Sequence, residues 1–271
     1  MPELPEVETI RRRLNTVIHN HTIKSTSVHN AKLRWPIAPD FAKQLSHATI
    51  HSFERRAKYL LMQTDRGIVI IHLGMSGSLT VNSGNHPLET HTHVEFHLKD
   101  GRSLRYRDPR RFGSMHWIPD KPLAHPLLRN LGPEPLDEGF NGDYLYQASR
   151  NRRVAIKTLL MNSRIIVGIG NIYASEALYL AQINPIRRSD RIACVRYQNL
   201  ARAVKSVLES AILAGGTTLR DYVDAAGNPG YFKQNLLVYG RQGALCNLCQ
   251  TQIRNRIIGQ RSSYYCPHCQ H

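Results

Sequence analysis

The amino terminus, MPELPEVET, places residues that can do amine chemistry at the start of the chain. If Met1 is removed, Pro2 gains a free secondary amine, and α-amino groups have a reference pKa of about 7.7–8.0, well below that of lysine. Such an amine is nucleophilic at neutral pH and forms a cationic iminium with an aldehyde carbon. Glu3 follows directly and is placed to give or take a proton. The sequence therefore offers a Schiff-base site at its first residues.

The same segment also fits the start of a helix without any chemistry. Pro5 suits the first turn of a helix, and the carboxylates after it favour the positive end of the helix dipole. Apolar residues recur at helical spacing through Val7, Ile10, Leu14 and Val17, so we expect a helix after Pro5. Capping accounts for the later glutamates but leaves Pro2 and Glu3 unexplained.

Four cysteines form two Cys-x-x-Cys pairs near the C terminus, separated by sixteen residues. Because nothing at the amino terminus reads as a secretory signal, this spacing predicts a structural zinc site, not a disulfide framework. Four thiolates complete a tetrahedral shell and leave no open position for catalysis. The predicted ligands are Cys246, Cys249, Cys266 and Cys269. Cys194 lies in a predicted helix, where we expect a small packed side chain.

The charge of the chain points to a polyanionic partner. Lys and Arg number 36 against 20 Asp and Glu, which gives a formal net charge of +16. Such an excess favours nucleic acid, with a solvated basic surface or an anionic membrane as alternatives. The basic residues cluster at Arg11–Arg13, Arg55-Arg56-Lys58, Arg105/Arg107/Arg110/Arg111, Arg150/Arg152/Arg153/Lys157 and Arg254/Arg256/Arg261.

Three further segments combine residue types that a protein needs to unstack a duplex. ERRAKYLL places Lys58 before an apolar strand, and HLGMSGSL places Met75 between glycines that let it project. DPRRFGSM combines two arginines with Phe112, and apolar wedges beside arginines are typical of proteins that kink DNA. Taken singly, each segment also fits a solvated lysine or an exposed turn.

A glycine-rich turn, GIGNIYASE, leads into a predicted helix. It lacks the third glycine of G-x-G-x-x-G and follows helical sequence, so we reject a dinucleotide fingerprint. The backbone N–H groups of such a turn can still bind an anion. A DNA phosphate at Gly170 and Asn171 fits this pattern.

The predicted secondary structure changes along the chain from strands to helices. Residues from about 22 to 118 are strand-like, with a hairpin turn at Lys99-Asp100-Gly101, and LGPEP at 131–135 is a plausible linker. The following segments have helical periodicity, then comes the polar loop TTLRDYVDAAGNPGYF and the cysteine module from about 237. No apolar run approaches a membrane span, so we expect an intracellular protein.

These motifs occur in the order seen in one family. PELPEVET, RRAKYL, HLGMSGSL, RDPRRFG, LGPEPL, VGIGNIYASE, GGTTLRD, VYGR and the paired cysteines resemble bacterial formamidopyrimidine-DNA glycosylases from residue 1 to about 270. The resemblance implies an α+β fold. Its expected parts are an N-terminal β-sandwich domain with an N-terminal helix (1–130), a helical domain with a helix–two-turn–helix motif (131–236) and a four-cysteine zinc ribbon, or zinc finger (237–271).

The resemblance also implies an activity: excision of 8-oxoguanine and ring-opened purines from duplex DNA, followed by β,δ-elimination at the abasic site. By this resemblance Pro2 attacks C1′ of the damaged nucleotide and Glu3 donates a proton. Lys58 resembles the lysine assigned to β-elimination, and Arg261, in GQRSSYYC, the arginine assigned to δ-elimination. The implied DNA contacts are His72, Met75, His91, Arg110, Phe112, Arg152 and Asn171.

The implied partners follow from that activity. We expect one structural Zn²⁺ per chain, a double-stranded DNA substrate with oxidised purines or abasic sites, and no membrane. We further expect a monomer in the bacterial cytoplasm, nucleoid-associated when bound to DNA.

Three positions depart from the family's usual pattern. Thr92 replaces an aspartate between two histidines, Asn162 replaces an acidic residue before the GIGN turn, and the DAAGNPG loop is less acidic than in many relatives. Two alternatives remain at this point. One is an endonuclease VIII type enzyme for oxidised pyrimidines, against which the PELPEVE start and DPRRFG argue. The other is a non-enzymatic zinc-ribbon DNA-binding protein, which leaves Pro2, Glu3 and Lys58 without a task.

Overall fold

The computed structural model describes residues 2–84, 86–217 and 235–271, which form two compact units. Unit 1 contains the chain up to Arg129 and a short segment that begins at Ala214. Unit 2 contains Asn130–Leu213 and the chain from residue 235 to the C terminus. The change of unit after Arg129 falls next to the predicted LGPEP linker.

Unit 1 is a β-sandwich of two antiparallel four-stranded sheets. The first sheet has the order β1-β6-β7-β5, and the second has the order β2-β3-β4-β8. The strands are β1 (Ile23–Val28), β2 (Ile50–Arg56), β3 (Tyr59–Thr64), β4 (Gly67–His72), β5 (Ser78–Asn82), β6 (Thr92–Leu98), β7 (Ser103–Arg107) and β8 (Ser114–Ile118). The predicted turn Lys99-Asp100-Gly101 joins β6 to β7, where Gly101 has a φ of 88°.

One apolar core holds unit 1 together. It buries alternate residues of both sheets and one face of α1 (Leu4–Ile18), including Ile10, Leu14, Phe53 and Phe96. The helix starts one residue before the predicted position, and Val17 is only partly buried against the same core. The short helix α2 (Phe41–Leu45) packs Phe41 into it as well.

Four α-helices lie in the described part of unit 2, as the change of periodicity predicts. They are α3 (Gly142–Ser149), α4 (Ile156–Leu160), α5 (Asn171–Leu180) and α6 (Cys194–Leu213). α5 is buried on nearly all sides, whereas α6 buries one face that includes Tyr197, Leu200 and Val204. Cys194 starts α6 half-buried, and its thiol donates to Asp143 Oδ1 at 3.3 Å, so it is less packed than expected.

The ribbon at the end of unit 2 is a hairpin of β9 (Arg254–Ile258) and β10 (Arg261–Tyr265). Its small core contains Val238, Ile253 and two of the cysteines, and Tyr179 of α5 packs into it. Among the described residues, no helix is both long enough and apolar enough to cross a bilayer.

Candidate active site and DNA-contact residues

The start of α1 is held by a capping box. The backbone N–H of Glu3 donates to Glu6 Oε2 at 2.7 Å, while the Glu3 side chain accepts from the Glu6 backbone N–H. Glu6 Oε1 also accepts from the Thr217 backbone N–H at 2.8 Å. Pro2 and Glu3 are therefore buried and ordered ahead of the helix, not frayed. Met1 lies outside the described residues.

Glu8 makes more contacts than a residue that only caps a helix. It is buried, and its carboxylate accepts from Arg11, Arg12 and, at 3.1 Å, from Arg55 Nε of β2. Burial alone raises the pKa of Glu8, but the hydrogen bonds from Arg11 and Arg12 outweigh it and lower the pKa to about 2. Glu8 is thus a permanent anion that ties α1 to β2.

Arg55 carries this connection to Lys58. Its Nη1 donates to the carbonyl oxygen of Ala57 at 3.1 Å, inside the tight turn that joins β2 and β3. Ala57 has a φ of 55°, a left-handed conformation that a non-glycine residue adopts only with support. Lys58 follows in the same turn. The turn that presents Lys58 is therefore fixed from α1 through Glu8 and Arg55.

His72 ends β4 close to Lys58. Burial lowers the pKa of His72 to about 4, and the positive charges of Lys58 and Arg34 act in the same direction. Its Nδ1 accepts from the Gly74 backbone N–H at 3.1 Å, which assigns the proton to Nε2. In the protein without DNA the imidazole is therefore uncharged at neutral pH, with Nε2 carrying the proton.

Met75, Arg110 and Phe112 lie on two loops of unit 1. Met75 is at the tip of the turn between β4 and β5, and 37% of it is exposed. Phe112 lies between β7 and β8 and is 45% exposed, with the Arg110 guanidinium 4.9 Å from its ring centroid. Large exposed apolar side chains beside an arginine are the composition that inserts into a duplex.

His91 precedes β6 and is exposed, with a φ of 67°. Its carbonyl accepts from the Asp108 backbone N–H at 3.1 Å, and Arg107 Nε donates to Thr90 O at 3.0 Å. Thr92, the position that departs from the family, is buried in β6 opposite Arg107. The His91 segment is therefore anchored by backbone bonds on both of its sides.

Unit 2 presents the other candidate residues. Gly170 caps α5 and Asn171 is its first residue, as the glycine-rich turn predicts. Asn171 Nδ2 donates to the carbonyl oxygen of Ser262 at 2.9 Å. Ser262 directly follows Arg261, which is exposed at the start of β10. Arg152 is exposed after α3, and its Nε donates to Ala148 O.

Two ionisable residues of unit 2 are buried, although the sequence grouped Lys157 with a basic cluster and did not single out Glu176. Lys157 is 1% exposed, and its ammonium donates to Ser262 O and Ser263 Oγ of β10. Glu176 is equally buried and accepts from the backbone N–H groups of residues 237–239. Burial raises the pKa of Glu176, partly offset by those bonds. Both side chains bind the ribbon or the segment that leads into it. The only sequence signal for either residue is that it lies in a motif with other charged or polar residues.

The four cysteines are brought together as predicted. Their sulfur atoms all lie within 4.8 Å of one another, with Cys246 Sγ 3.9 Å from Cys269 Sγ and Cys249 Sγ 3.5 Å from Cys266 Sγ. Tetrahedral zinc with bonds of about 2.3 Å needs sulfur separations of about 3.8 Å. The four thiols fit a zinc ion.

The structure divides the predicted residues between the two units. Unit 1 holds Pro2, Glu3, Lys58, His72, Met75, His91, Arg110 and Phe112, whereas unit 2 holds Arg152, Asn171, Arg261 and the four cysteines. The DAAGNPG loop, which we expect to influence lesion preference, lies outside the described residues. Asn162 is exposed and accepts from the Arg164 backbone N–H, so its amide keeps a local turn.

Comparison with known proteins agrees with this architecture. The chain matches the formamidopyrimidine-DNA glycosylase N-terminal domain over residues 1–115 and the H2TH domain of the same glycosylase over residues 131–223. It is 52% identical over 270 residues to a formamidopyrimidine-DNA glycosylase of Stenotrophomonas maltophilia and 51% identical over 276 residues to one of Alkalilimnicola ehrlichii, in both cases covering 100% of each chain.

Solved structures give the same result. A Lactococcus lactis Fpg variant in complex with a Fapy-dG-containing DNA superposes with a TM-score of 0.93, at 32% identity and with 100% of both chains covered. A complex of Lactococcus lactis Fpg with an abasic-site DNA gives a TM-score of 0.92 over 99% of both chains.

The fold and these matches define a DNA glycosylase built from a β-sandwich domain, an H2TH domain and a four-cysteine ribbon. The chain belongs to the formamidopyrimidine-DNA glycosylase family. The predicted fold class and family are therefore confirmed. Membership favours a base-excision repair glycosylase over both alternatives, the endonuclease VIII type and the non-enzymatic DNA-binding protein.

Proposed function

We propose that this protein is a bifunctional enzyme that excises 8-oxoguanine and formamidopyrimidines from duplex DNA and then cleaves the strand at the abasic site. The names of its relatives and the Fapy-dG DNA bound by its structural neighbour support this substrate class. The observation that carries the proposal is the ordered, buried Pro2-Glu3 pair held by the capping box at the start of α1. The capping box thus fixes a carboxyl group on the residue directly after the proposed nucleophile.

The first step uses the amine that Pro2 gains when Met1 is removed. The Pro2 nitrogen forms a bond to C1′ and loses its N–H proton, while the bond from C1′ to the damaged base breaks and the base leaves with the bonding electron pair and takes up a proton. Glu3 supplies a proton as the sugar ring opens, so that O4′ leaves as a hydroxyl and the nitrogen lone pair completes a cationic iminium. The carboxyl group of Glu3 is held next to the nucleophile because it accepts a hydrogen bond from the Glu6 backbone N–H.

The second step breaks the strand. The iminium withdraws electrons and acidifies the C2′–H bond, so that loss of this proton expels the 3′ phosphate by β-elimination. Loss of a further proton expels the 5′ phosphate by δ-elimination. We assign Lys58, fixed in the β2–β3 turn, to β-elimination and phosphate contact, and Arg261, on the exposed edge of β10, to δ-elimination. No redox change occurs in either step.

The nucleotide must leave the duplex before either step, because a stacked base shields C1′. Extrusion costs a few kcal/mol, which wedge side chains and phosphate contacts offset. We assign the wedge to Met75, Arg110 and Phe112, and further DNA contacts to His72, His91, Arg152 and Asn171. Wedge residues that project from ordered loops lose little entropy when they insert.

A structural zinc ion completes the ribbon in this proposal. Cys246, Cys249, Cys266 and Cys269 would hold it, and zinc supplies folding free energy there because four thiolates close its shell. We also propose that the chain divides into three parts, with boundaries after residues 130 and 236. In this proposal the enzyme is a monomer that acts on nucleoid DNA in the bacterial cytoplasm. Size-exclusion chromatography with light scattering tests the monomer.

An excision assay tests the substrate class. Duplexes that carry 8-oxoguanine opposite cytosine, 5-hydroxyuracil opposite guanine or no lesion are incubated with excess enzyme, and single-turnover rates are compared. We expect 8-oxoguanine to be released fastest and the undamaged duplex to stay intact. Much faster release of 5-hydroxyuracil would favour the oxidised-pyrimidine alternative, and binding without cleavage of any duplex would favour a DNA-binding protein.

A further inference from the structure

The loops that carry Met75 and Phe112 are packed against each other more closely than ordinary side chains allow. Gly74 has a φ of 63°, and a Cβ there would overlap the backbone of residues 112 and 113. A Cβ on Gly113 would overlap the Tyr106 hydroxyl. Both glycines are therefore required for the two loops to meet around that hydroxyl.

The carboxylate of Asp108 lies at this junction and is fully buried. Its Oδ1 accepts from Ser76 Oγ at 2.6 Å, in the loop of Met75. Its Oδ2 accepts from the Gly113 backbone N–H at 2.8 Å, one residue after Phe112, and from the Tyr106 hydroxyl at 3.1 Å. The two oxygens of one side chain thus join both loops.

The backbone of Asp108 extends the same junction to His91 and Arg110. Its N–H donates to the carbonyl of His91, and its own carbonyl lies 2.8 Å from His93 Nε2. Ser76 Oγ, which donates to the carboxylate, accepts from the Arg110 backbone N–H at 3.2 Å. Every loop that carries a proposed wedge or His91 contact is therefore bonded to residue 108 or to its partner Ser76.

We infer that Asp108 is a positioning residue that assembles Met75, His91, Arg110 and Phe112 into one preorganised wedge. This inference rests on the proposed function, which assigns those four residues to DNA. Asp108 itself is buried beneath the loops and does not reach the duplex. Its role is to fix the loop conformations before DNA binds, so that insertion does not have to order them.

Burying a carboxylate is costly unless its oxygens are satisfied, and here three donors satisfy them. A burial that served stability alone could use an apolar side chain, whereas one donor from each loop and a third from Tyr106 of β7 specify one loop arrangement. The side chain is therefore suited to specifying geometry. Its removal should affect duplex unstacking more than the amine chemistry at α1.

Two variants test the inference. Asp108→Asn keeps the shape but turns a donor toward at least one of the three donors that Asp108 accepts. Tyr106→Phe keeps the ring and removes a single donor. Each is compared with the wild type on two substrates: an 8-oxoguanine duplex, which needs the wedge, and a single-stranded abasic-site oligonucleotide, which has no base pair to open.

We expect Asp108→Asn to slow excision from the duplex at least about tenfold, the effect of an unmatched buried polar group. Borohydride trapping on the single-stranded abasic site should stay within about twofold of the wild type, since no wedge is needed there. The fluorescence rise of 2-aminopurine placed next to the lesion, which reports unstacking without catalysis, should fall in parallel. Tyr106→Phe should show a smaller, equally duplex-specific fall.

Equal loss on both substrates, or normal unstacking in either folded variant, would overturn the inference. If Asp108→Asn does not fold, Tyr106→Phe decides alone, and normal duplex excision by this variant would contradict the assignment. A wild type that traps on neither substrate would contradict the proposed function instead. The unstacking signal would then still decide whether Asp108 positions the wedge.

Discussion

Three carboxylates in the first two turns of the chain have three separate tasks. Glu3 is buried next to Pro2, Glu6 bonds both the Glu3 backbone and Thr217, and Glu8 binds three arginines. The sequence assigned Glu6 and Glu8 to the helix start, whereas the structure places Glu3 and Glu6 in the capping box and pairs Glu8 with arginines. These neighbouring glutamates have different roles because each side chain contacts different residues in the fold.

Glu3→Gln separates base release from strand cleavage. The amide cannot donate the proton that opens the sugar ring during excision, whereas the sugar of a preformed abasic site also opens spontaneously in water, and general acids contribute about 10²–10⁴-fold. We expect excision of 8-oxoguanine to fall by that range, while cleavage of a preformed abasic site falls far less. Glu54→Gln, at an exposed position of β2, is the control and should change neither rate. Equal losses on both substrates for Glu3→Gln would remove Glu3 from the proton-donor role.

Glu8 makes stability depend on pH in a definite window. Its pKa falls from an ordinary 4.5 to about 2 on folding, so its ion pairs stabilise the protein above pH 4.5 and lose that effect as pH falls toward 2. The shift corresponds to about 3 kcal/mol. Glu8→Gln should therefore lower the free energy of unfolding at pH 7 by about that amount, measured by urea denaturation.

The difference between the wild type and Glu8→Gln should shrink as the pH approaches 2. A difference that stays constant from pH 7 to pH 3 would show that the charge of Glu8 contributes nothing to stability. Glu54→Gln again serves as the exposed control, and we expect it to leave stability unchanged within about 0.5 kcal/mol.

At the scale of elements, features encoded by a few adjacent residues could be predicted from the sequence, whereas contacts between distant segments could not. The period of α1, the hairpin turn at residues 99–101, the glycine turn before α5 and the cysteine spacing were each visible in a few adjacent residues and are confirmed. The roles of Lys157 and Glu176 were missed because their partners come from distant segments, and that of Asp108 because its burial and its bond from Ser76 depend on how the two loops meet. Lys157, for example, bonds a residue 105 positions away.

A hydrogen bond joins the ribbon to α5, and the spacing of residues in the sequence does not indicate it. The Tyr179 hydroxyl lies 3.2 Å from Cys246 Sγ, in the position of a partner that supports a metal ligand. We expect Tyr179→Phe to release zinc to an excess of chelator about tenfold faster than the wild type. Absorbance of the chelator complex measures the release independently of activity.

Tyr264→Phe is the matched control for the zinc measurement. Tyr264 packs on the same ribbon core, and no thiol bond to its hydroxyl occurs in the described part of the chain. Its release rate should match the wild type. Equal acceleration in both variants would mean that general loosening of the ribbon, and not the bond to Cys246, controls zinc retention.

At the scale of the whole molecule, the charge of +16 is the dominant property. Each phosphate neutralised by Lys or Arg releases a counterion, so log Kd rises with log salt in proportion to the number of phosphates bound. We expect affinity for an abasic-analogue duplex to fall at least about a hundredfold between about 50 and about 200 mM salt, as for proteins with several phosphate contacts. Fluorescence anisotropy measures it.

Two arginine variants localise this salt dependence. Arg152→Ala should reduce the slope of the salt plot by about one, because we assign Arg152 to a DNA contact outside the wedge, where an arginine neutralises a phosphate. Arg102→Ala removes the same charge from a residue paired with Asp100 and should leave the slope unchanged. Equal effects would mean that net charge alone, without a defined interface, determines binding.

The central claim is a covalent intermediate on Pro2, and borohydride trapping tests it most directly. Wild-type protein and Pro2→Gly are incubated with a duplex that carries 8-oxoguanine opposite cytosine, and borohydride reduces any iminium to a stable amine. We predict a protein–DNA adduct that maps by mass spectrometry to residue 2 and decreases strongly in the variant. An adduct that maps to a lysine, or equal trapping by Pro2→Gly, would contradict the mechanism.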